Sequence, residues 1–240
     1  MCDFTDEEIQ EVLNNSESNS VKTVTSLKSV IYNYIKFYDT TRVFDEVSIT
    51  TKIEYQSLNE FYKMIDNFKC SDVDKMILVL TRYGVSGKDI SSIKWNDIDK
   101  GKMTIKISNI NLPIDSNFLH YLDRAYNCNS YDYKTSTIEY IDYDYIIKAS
   151  HKSNDKKLNN NTILTRINAT YKNNGLKRVS ITNLNVYRQF DLLFETLTTK
   201  GKVTYEDIRN VLNILCGKHS IAKEQYLKER FVTLSEQINM

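Results

Sequence analysis

The chain has 240 residues, 41% hydrophobic and 26% charged, enough for one large domain or two small ones with real cores. No apolar run reaches the ~20 residues that span a bilayer, and the acidic start, Met1 to Glu8, lacks the basic-then-apolar pattern of a signal peptide, so the reading is a cytoplasmic protein with no membrane partner. The formal net charge of +1 gives no global nucleic-acid signature, and the scattered Cys2, Cys70, Cys128 and Cys216 speak against a disulfide framework or zinc site.

Residues 5–13 read as a short helix: Thr5 caps it, Glu8 completes a capping box, and Ile9, Val12 and Leu13 form its apolar edge. A polar loop, 14–20, leads into a helix whose Leu27, Val30, Ile31, Tyr34, Ile35 and Tyr38 fall on one face of a 3.6-residue period. Residues 43–51 fit no single pattern. Leu58, Phe61, Tyr62 and Ile65 give another amphipathic helix. Residues 67–72 form the expected boundary between an N-terminal helical domain, 1–67, and a second domain, 68–240. Ser71 or Asp72 caps the helix that carries Val73, Met76, Ile77 and Leu80.

Farther on, 103–107 alternates like a strand, and 111–115 reads as its hairpin partner, with the single Pro113 near an edge. Ser116 is expected to cap a helix carrying Leu119, Leu122 and Tyr126. The tyrosine-rich run 131–145 resists assignment, although 143–147 resembles a strand. Helices are predicted at 160–174 (closed by Gly175), 183–199, 204–216 (Thr204 capping, Asp207 third, Gly217 closing) and 220–231. The fold class is therefore mainly α with a small β-hairpin or sheet, an α+β protein in two domains.

Charge is unevenly spread. Residues 1–20 hold six acids and no Lys or Arg, whereas 148–178 hold Lys148, Lys152, Lys156, Lys157, Arg166, Lys172, Lys177 and Arg178 against one acid, Asp155. Such a run is either a solvated face or a stripe that neutralises phosphates and releases counterions.

The segment Leu80 to Asp99 is the most informative stretch. Gly84, Val85, Asp89, Ile90, Ile93, Trp95, Asp97, Ile98 and Asp99 stand in register with apolar-x-x-Thr-Gly-Leu-Arg-x-x-Glu-Leu-x-x-Leu-x-Trp-x-Asp-Ile-Asp, and Ser86 stands at its arginine. This resembles the box that carries the first catalytic arginine of the tyrosine recombinases, the phage integrase family. Residues 181–190 align with a second box, apolar-Thr-Pro-His-Asp-Leu-Arg-Arg-Thr-Phe, through Ile181, Thr182, Val186, Arg188 and Phe190, with Leu184 at the histidine and Tyr187 at the arginine. Leu215 to Tyr226 resembles the third, Leu-Gly-His-x-Ser followed by the nucleophilic tyrosine, which makes Tyr226 the candidate nucleophile. The resemblance covers roughly residues 68–231 and implies a small helical core-binding domain followed by a catalytic-type domain.

In that family a tyrosine attacks a DNA phosphodiester while arginines and histidines hold the developing charge and a hairpin lysine, here at best Lys106, protonates the leaving oxygen. Planar guanidinium supplies both charge and orientation. With Ser86, Leu184 and Tyr187 at three of those positions, the resemblance implies a body that holds double-stranded DNA without cutting it, as do recombinase-like repressors of temperate phages. It implies no cofactor or metal and a bacterial host cytoplasm. The phosphate-contact candidates are Lys22, Lys28, Lys148, Lys152, Lys156, Lys157, Arg166, Lys172, Lys177, Arg178 and Arg188. Lys22 and Lys28 flank a helix start suited to phosphate, and Arg188, one position past the box-two arginine, is read as an exposed or DNA-facing helix residue. The alternative is a divergent active recombinase in which Tyr226 attacks and Arg82, Arg188 or His219 substitute for the missing groups. Residues 220–231 could also pair copies of the chain into a homo-oligomer, and a regulatory protein or peptide is a possible further partner.

Overall fold

A computed structural model describes residues 5, 8, 11–12, 21–38, 53–133, 136–141, 144–151, 157–177, 179–217 and 219–238. It is mainly helical with two small antiparallel sheets, an α+β architecture. The chain divides into two compact units, Met1–Tyr55 with Glu229–Met240, and Gln56–Lys228.

In the smaller unit the expected capping box is present: the Thr5 amide donates to Glu8 Oε2 at 2.8 Å, and the Glu8 amide donates to Thr5 Oγ1 at 3.2 Å. Helix α1 (Val21–Tyr38) follows. The Ile53 amide donates to Gln237 Oε1 at 3.1 Å, tying the segment that precedes the next helix to the C-terminal helix. The stretch 43–51 lies outside the described residues.

The larger unit is built around α3 (Asp72–Arg82), buried at every position from Lys75 to Arg82. Before it comes α2 (Leu58–Asp66), started by a complete Ser57–Glu60 capping box; the sequence pattern grouped this helix with the N-terminal piece, and it lies in the larger unit. Ser71 caps α3 through the Asp74 amide. The core gathers Phe61, Ile65, Met76, Ile77, Leu80, Phe118, Leu122, Ile163, Leu184 and Phe190, all essentially inaccessible. Each such side chain contributes roughly 1.5–3 kcal/mol by leaving water.

After α3 come the single turn α4 (Gly87–Ile90) and a 3-10 turn at Trp95–Asp97, followed by β1 (Ile98–Asp99), β2 (Thr104–Ile107) and β3 (Ile110–Pro113). They pair antiparallel in the order β1-β2-β3, with Ile105 opposite Leu112 and Thr104 opposite Pro113. Pro113 thus ends an edge strand, where its missing N–H costs nothing. The two-residue turn places Ser108 at φ 53°, a left-handed conformation that L-residues resist.

Helix α5 (Ser116–Asn127) begins at Ser116, and its cap is Asp115, not Ser116: the Phe118 amide donates to Asp115 Oδ1 at 2.7 Å. The same carboxylate oxygen accepts from the Tyr62 hydroxyl at 3.0 Å, a longer-reaching role than a serine could fill. The tyrosine-rich run forms a hairpin, β4 (Ser130–Tyr133) with β5 (Ser136–Glu139). The strand expected at 143–147 does not form among its described residues; Tyr145 makes a single bridge to Lys94, flanked by bonds from Ile146 N to Ile93 O and Trp95 N to Asp144 O. Then follow α6 (Asn160–Asn173), α7 (Ile181–Lys200), α8 (Tyr205–Cys216) and α9 (Ile221–Ile238). The last runs seven residues beyond its expected end, since Phe231 and Leu234 continue the buried stripe begun by Leu227.

The predicted cap of α8 forms as a Thr204–Asp207 capping box. Hydrogen bonds from Lys200, then from Thr204, hold the Asp207 carboxyl down at about 2. Its folded value lies below that of an unfolded chain, so the cap's contribution is complete above roughly pH 4 and is lost as pH falls toward 2. Asp207→Asn should therefore flatten the acid limb of a pH–stability curve between those values; an unchanged slope there would refute the assignment.

Candidate functional site

The three recombinase-like segments meet. The turn after α3 brings Gly84, Val85 and Ser86 to a recess of about 230 Å3 that Ile107 and Ser108 of the hairpin and Leu215 and Cys216 of α8 also line. An adjoining recess of about 290 Å3 shares Gly84, Leu215 and Cys216 with it, and adds Thr182, Asn185, Val186 and Gln189 of α7 and Lys223, Tyr226 and Leu227 of α9.

The first segment owes its shape to local backbone rules. Helix α3 ends in a Schellman motif: Val85 N donates to Leu80 O at 3.1 Å and Gly84 N to Thr81 O at 3.0 Å, with Gly84 at φ 89°. Only glycine takes that conformation freely. Ser86 caps α4, accepting from the Asp89 amide at 3.2 Å and donating to Asp89 Oδ2 at 2.6 Å. At the arginine position there is thus an exposed hydroxyl engaged with a carboxylate, which presents no positive charge. Asp97 and Asp99 likewise serve their own turns, accepting from the Lys94 and Lys102 amides at 2.8 and 2.9 Å.

On α7 the positions matched to the histidine and arginine, Leu184 and Tyr187, face the core, 0% and 4% exposed. The face that lines the recess is Thr182, Asn185, Val186 and Gln189, one step around the helix, and it carries no charge. The positions matched by the gap-free alignment and the face that lines the recess are thus different faces of α7.

Arg188 requires correction. It is not a DNA-facing surface residue: it is buried, its guanidinium 4.6 Å from the Tyr83 ring centre and 4.0 Å from Asp191 Oδ2. Asp191 also binds Arg82, at 2.8 Å through Oδ2 and 3.1 Å through Oδ1, and Arg82 donates to Gln56 O at 2.9 Å. Both arginines near the first two segments thus converge on one buried carboxylate. His219 is held by Glu224 at 2.8 Å, and Glu224 also accepts from Arg209 at 3.2 Å. None of Arg82, Arg188 and His219 lines either recess, whereas Tyr226, 45% exposed, does. Lys106 is exposed on β2, and its neighbours Ile107 and Ser108 line the recess instead.

Two members of the basic segment are also internal. Lys148, 3% exposed, donates to Tyr126 O at 2.6 Å and Cys128 O at 3.4 Å, closing the end of α5. Arg166 binds Asp74 at 2.6 Å and donates to the Tyr140 hydroxyl at 2.9 Å, joining α6 to α3. Their cationic groups serve the fold and are withdrawn as phosphate contacts. Lys157, Lys172 and Lys177 are exposed around the two ends of α6. Lys152, Lys156 and Arg178 lie outside the described residues; Lys22 and Lys28 belong to α1, with side chains outside the description. Sequence inspection overlooked Asp191, Asn185, Gln189, Cys216 and Lys223; the helical spacing of 182, 185 and 189 was the signal that could have found the recess face.

Among the described residues no cluster of His, Cys, Asp and Glu suits a metal ion, and no helix is long and apolar enough to cross a membrane. No protein-family model matches the chain, and no curated protein matches it. Among solved structures, it is similar to the crystal structure of XerA recombinase, with 18% sequence identity over 94% of this chain and 78% of that one and a TM-score of 0.47.

Proposed function

We propose that this protein binds double-stranded DNA on a tyrosine-recombinase-like body without cleaving it, as a transcriptional regulator of a phage or other mobile element. The observation that carries the reading is the recess where the three segments meet. Lys223 is the one cationic side chain among the described residues that line it, and Arg82 and Arg188 are tied to Asp191 in the core. Cleavage of a phosphodiester needs fixed cationic donors around the reacting phosphate, and loss of even one such donor typically costs ~10²–10³ in rate. The exposed Lys157, Lys172 and Lys177, with Lys152, Lys156 and Arg178 of the same basic segment, support backbone contact with a duplex.

Tyr226 on the recess wall favours a second reading, a divergent active recombinase. A nicked suicide substrate carrying the cognate site, found by footprinting upstream of the protein's own gene, separates the two. Salt-dependent binding with no covalent protein–DNA adduct is the expected result. An adduct that disappears in Tyr226→Phe would establish the enzyme instead, and absence of any duplex binding would overturn both.

A further inference from the structure

We propose that α6 reads A·T base pairs from the major groove of duplex DNA, through Asn161, Thr165 and Asn168. The inference rests on the duplex-binding reading above and adds to it which bases are read and by which side chains. Helix α6 has two faces of opposite character. Ile163, Ile167, Thr170 and Tyr171 are buried, whereas Asn161, Thr165, Asn168 and Lys172 are exposed. Spacings of four, three and four residues align the exposed set along one side, over roughly 16 Å of helix.

The charge of the segment suits a polyanion. Residues 156–190 contain no Asp or Glu, so no carboxylate on this helix repels the phosphates that flank a groove. The helix is also held from behind. Arg166 binds Asp74 of α3, and the first turn seats closely on α4, where a Cβ at Gly87 would overlap Asn160 Oδ1. A helix fixed in this way presents its outer side chains in one arrangement, which lowers the ordering cost of binding.

The choice of base follows from side-chain chemistry. In the major groove adenine offers its N7 acceptor beside its N6 donor, and the two ends of one asparagine carboxamide match both. Thr165 donates its hydroxyl to the Asn161 carbonyl at 2.9 Å, which leaves its methyl as an apolar contact suited to the thymine methyl. Guanine is met best by a guanidinium fork on O6 and N7, and the one arginine of α6, Arg166, is committed to Asp74. Lys172, in the last turn, serves the flanking phosphates.

The full chain is offered a pool of randomised duplexes, and the bound fraction is sequenced. Anisotropy then compares the selected duplex with versions in which single A·T pairs are changed to G·C. One such change should weaken binding of the unaltered chain by about 5- to 150-fold and that of Asn161→Ala hardly at all. Replacing thymine by uracil deletes the base methyl; it should weaken the unaltered chain and leave Thr165→Ser indifferent. Lys172→Gln should weaken A·T and G·C duplexes by the same factor, as loss of a phosphate contact does. The substituted side chains are exposed, so melting temperatures should confirm that each variant is folded. Duplex binding without base preference would overturn the proposal and leave the parent reading standing. So would an A·T preference that survives intact in both Asn161→Ala and Thr165→Ser. Absence of duplex binding at any sequence would overturn the parent reading and this inference with it.

Discussion

Asp191→Ala should destabilise the larger unit by about 3–5 kcal/mol, a large share of the roughly 5–15 kcal/mol that holds a typical domain together. Asp191 is buried, and the guanidinium groups of Arg82, 0% exposed, and Arg188, 6% exposed, both approach it. Removing the carboxylate leaves two cations in a low-dielectric core without the anion they share, and neither can shed its proton at ordinary pH. The Gln56 carbonyl and the rings of Phe61, Tyr187 and Tyr83 offset only part of that penalty. Chemical denaturation of purified variants measures the effect. Arg82→Met and Arg188→Met combined with Asp191→Leu should lose much less than Asp191→Ala alone, because all three charges are then replaced by apolar groups and none is left unpaired. A loss under 1 kcal/mol for Asp191→Ala would mean that the two arginines find water or another acceptor, and would reopen their recruitment toward the recess.

This carboxylate also marks where sequence stops being informative. Helix caps were legible because they are local chemistry: Thr5–Glu8, Ser71 and Thr204–Asp207 each satisfy amides within three residues. So was the turn at Gly84, whose glycine answers a backbone requirement. The burial of charged side chains was written in the helical period but was overruled by charge. Arg166 falls among Ile163, Ile167 and Thr170, and Arg188 among Leu184, Tyr187 and Asp191, each set spaced as one buried face. Their partners, Asp74 and Asp191, lie 92 residues and three residues away, and only the first is invisible to local inspection. The recess face of α7 was hidden for a different reason. Matching a motif by letter placed Leu184 and Tyr187 at the chemistry, while packing against α3 rotates those positions inward and turns Thr182, Asn185 and Gln189 outward.

Separating surface cations from structural ones sharpens the DNA-binding reading into a quantitative prediction. Lys157 precedes the Asn159 cap of α6, Lys172 lies in its last turn, and Lys177 follows Gly175. On this reading each neutralises one backbone phosphate and releases its counterion. Logarithmic affinity should therefore fall less steeply with logarithmic salt by about 0.9 for every lysine removed. The triple variant Lys157/Lys172/Lys177→Gln should flatten the slope by about 2.7 and weaken binding roughly 10²–10³-fold near 0.1 M salt. Fluorescence anisotropy with the footprinted duplex, repeated across salt concentrations, measures both quantities. Arg166→Gln is the informative companion: it breaks the Asp74 contact and should lower the melting temperature while leaving the salt slope of the remaining folded protein intact. Phosphate contacts and fold contacts thus predict opposite signatures for cations that one stretch of sequence presents as alike. A triple variant with an unchanged slope would remove α6 from the DNA interface, and a slope that flattens in Arg166→Gln without thermal loss would return that arginine to it.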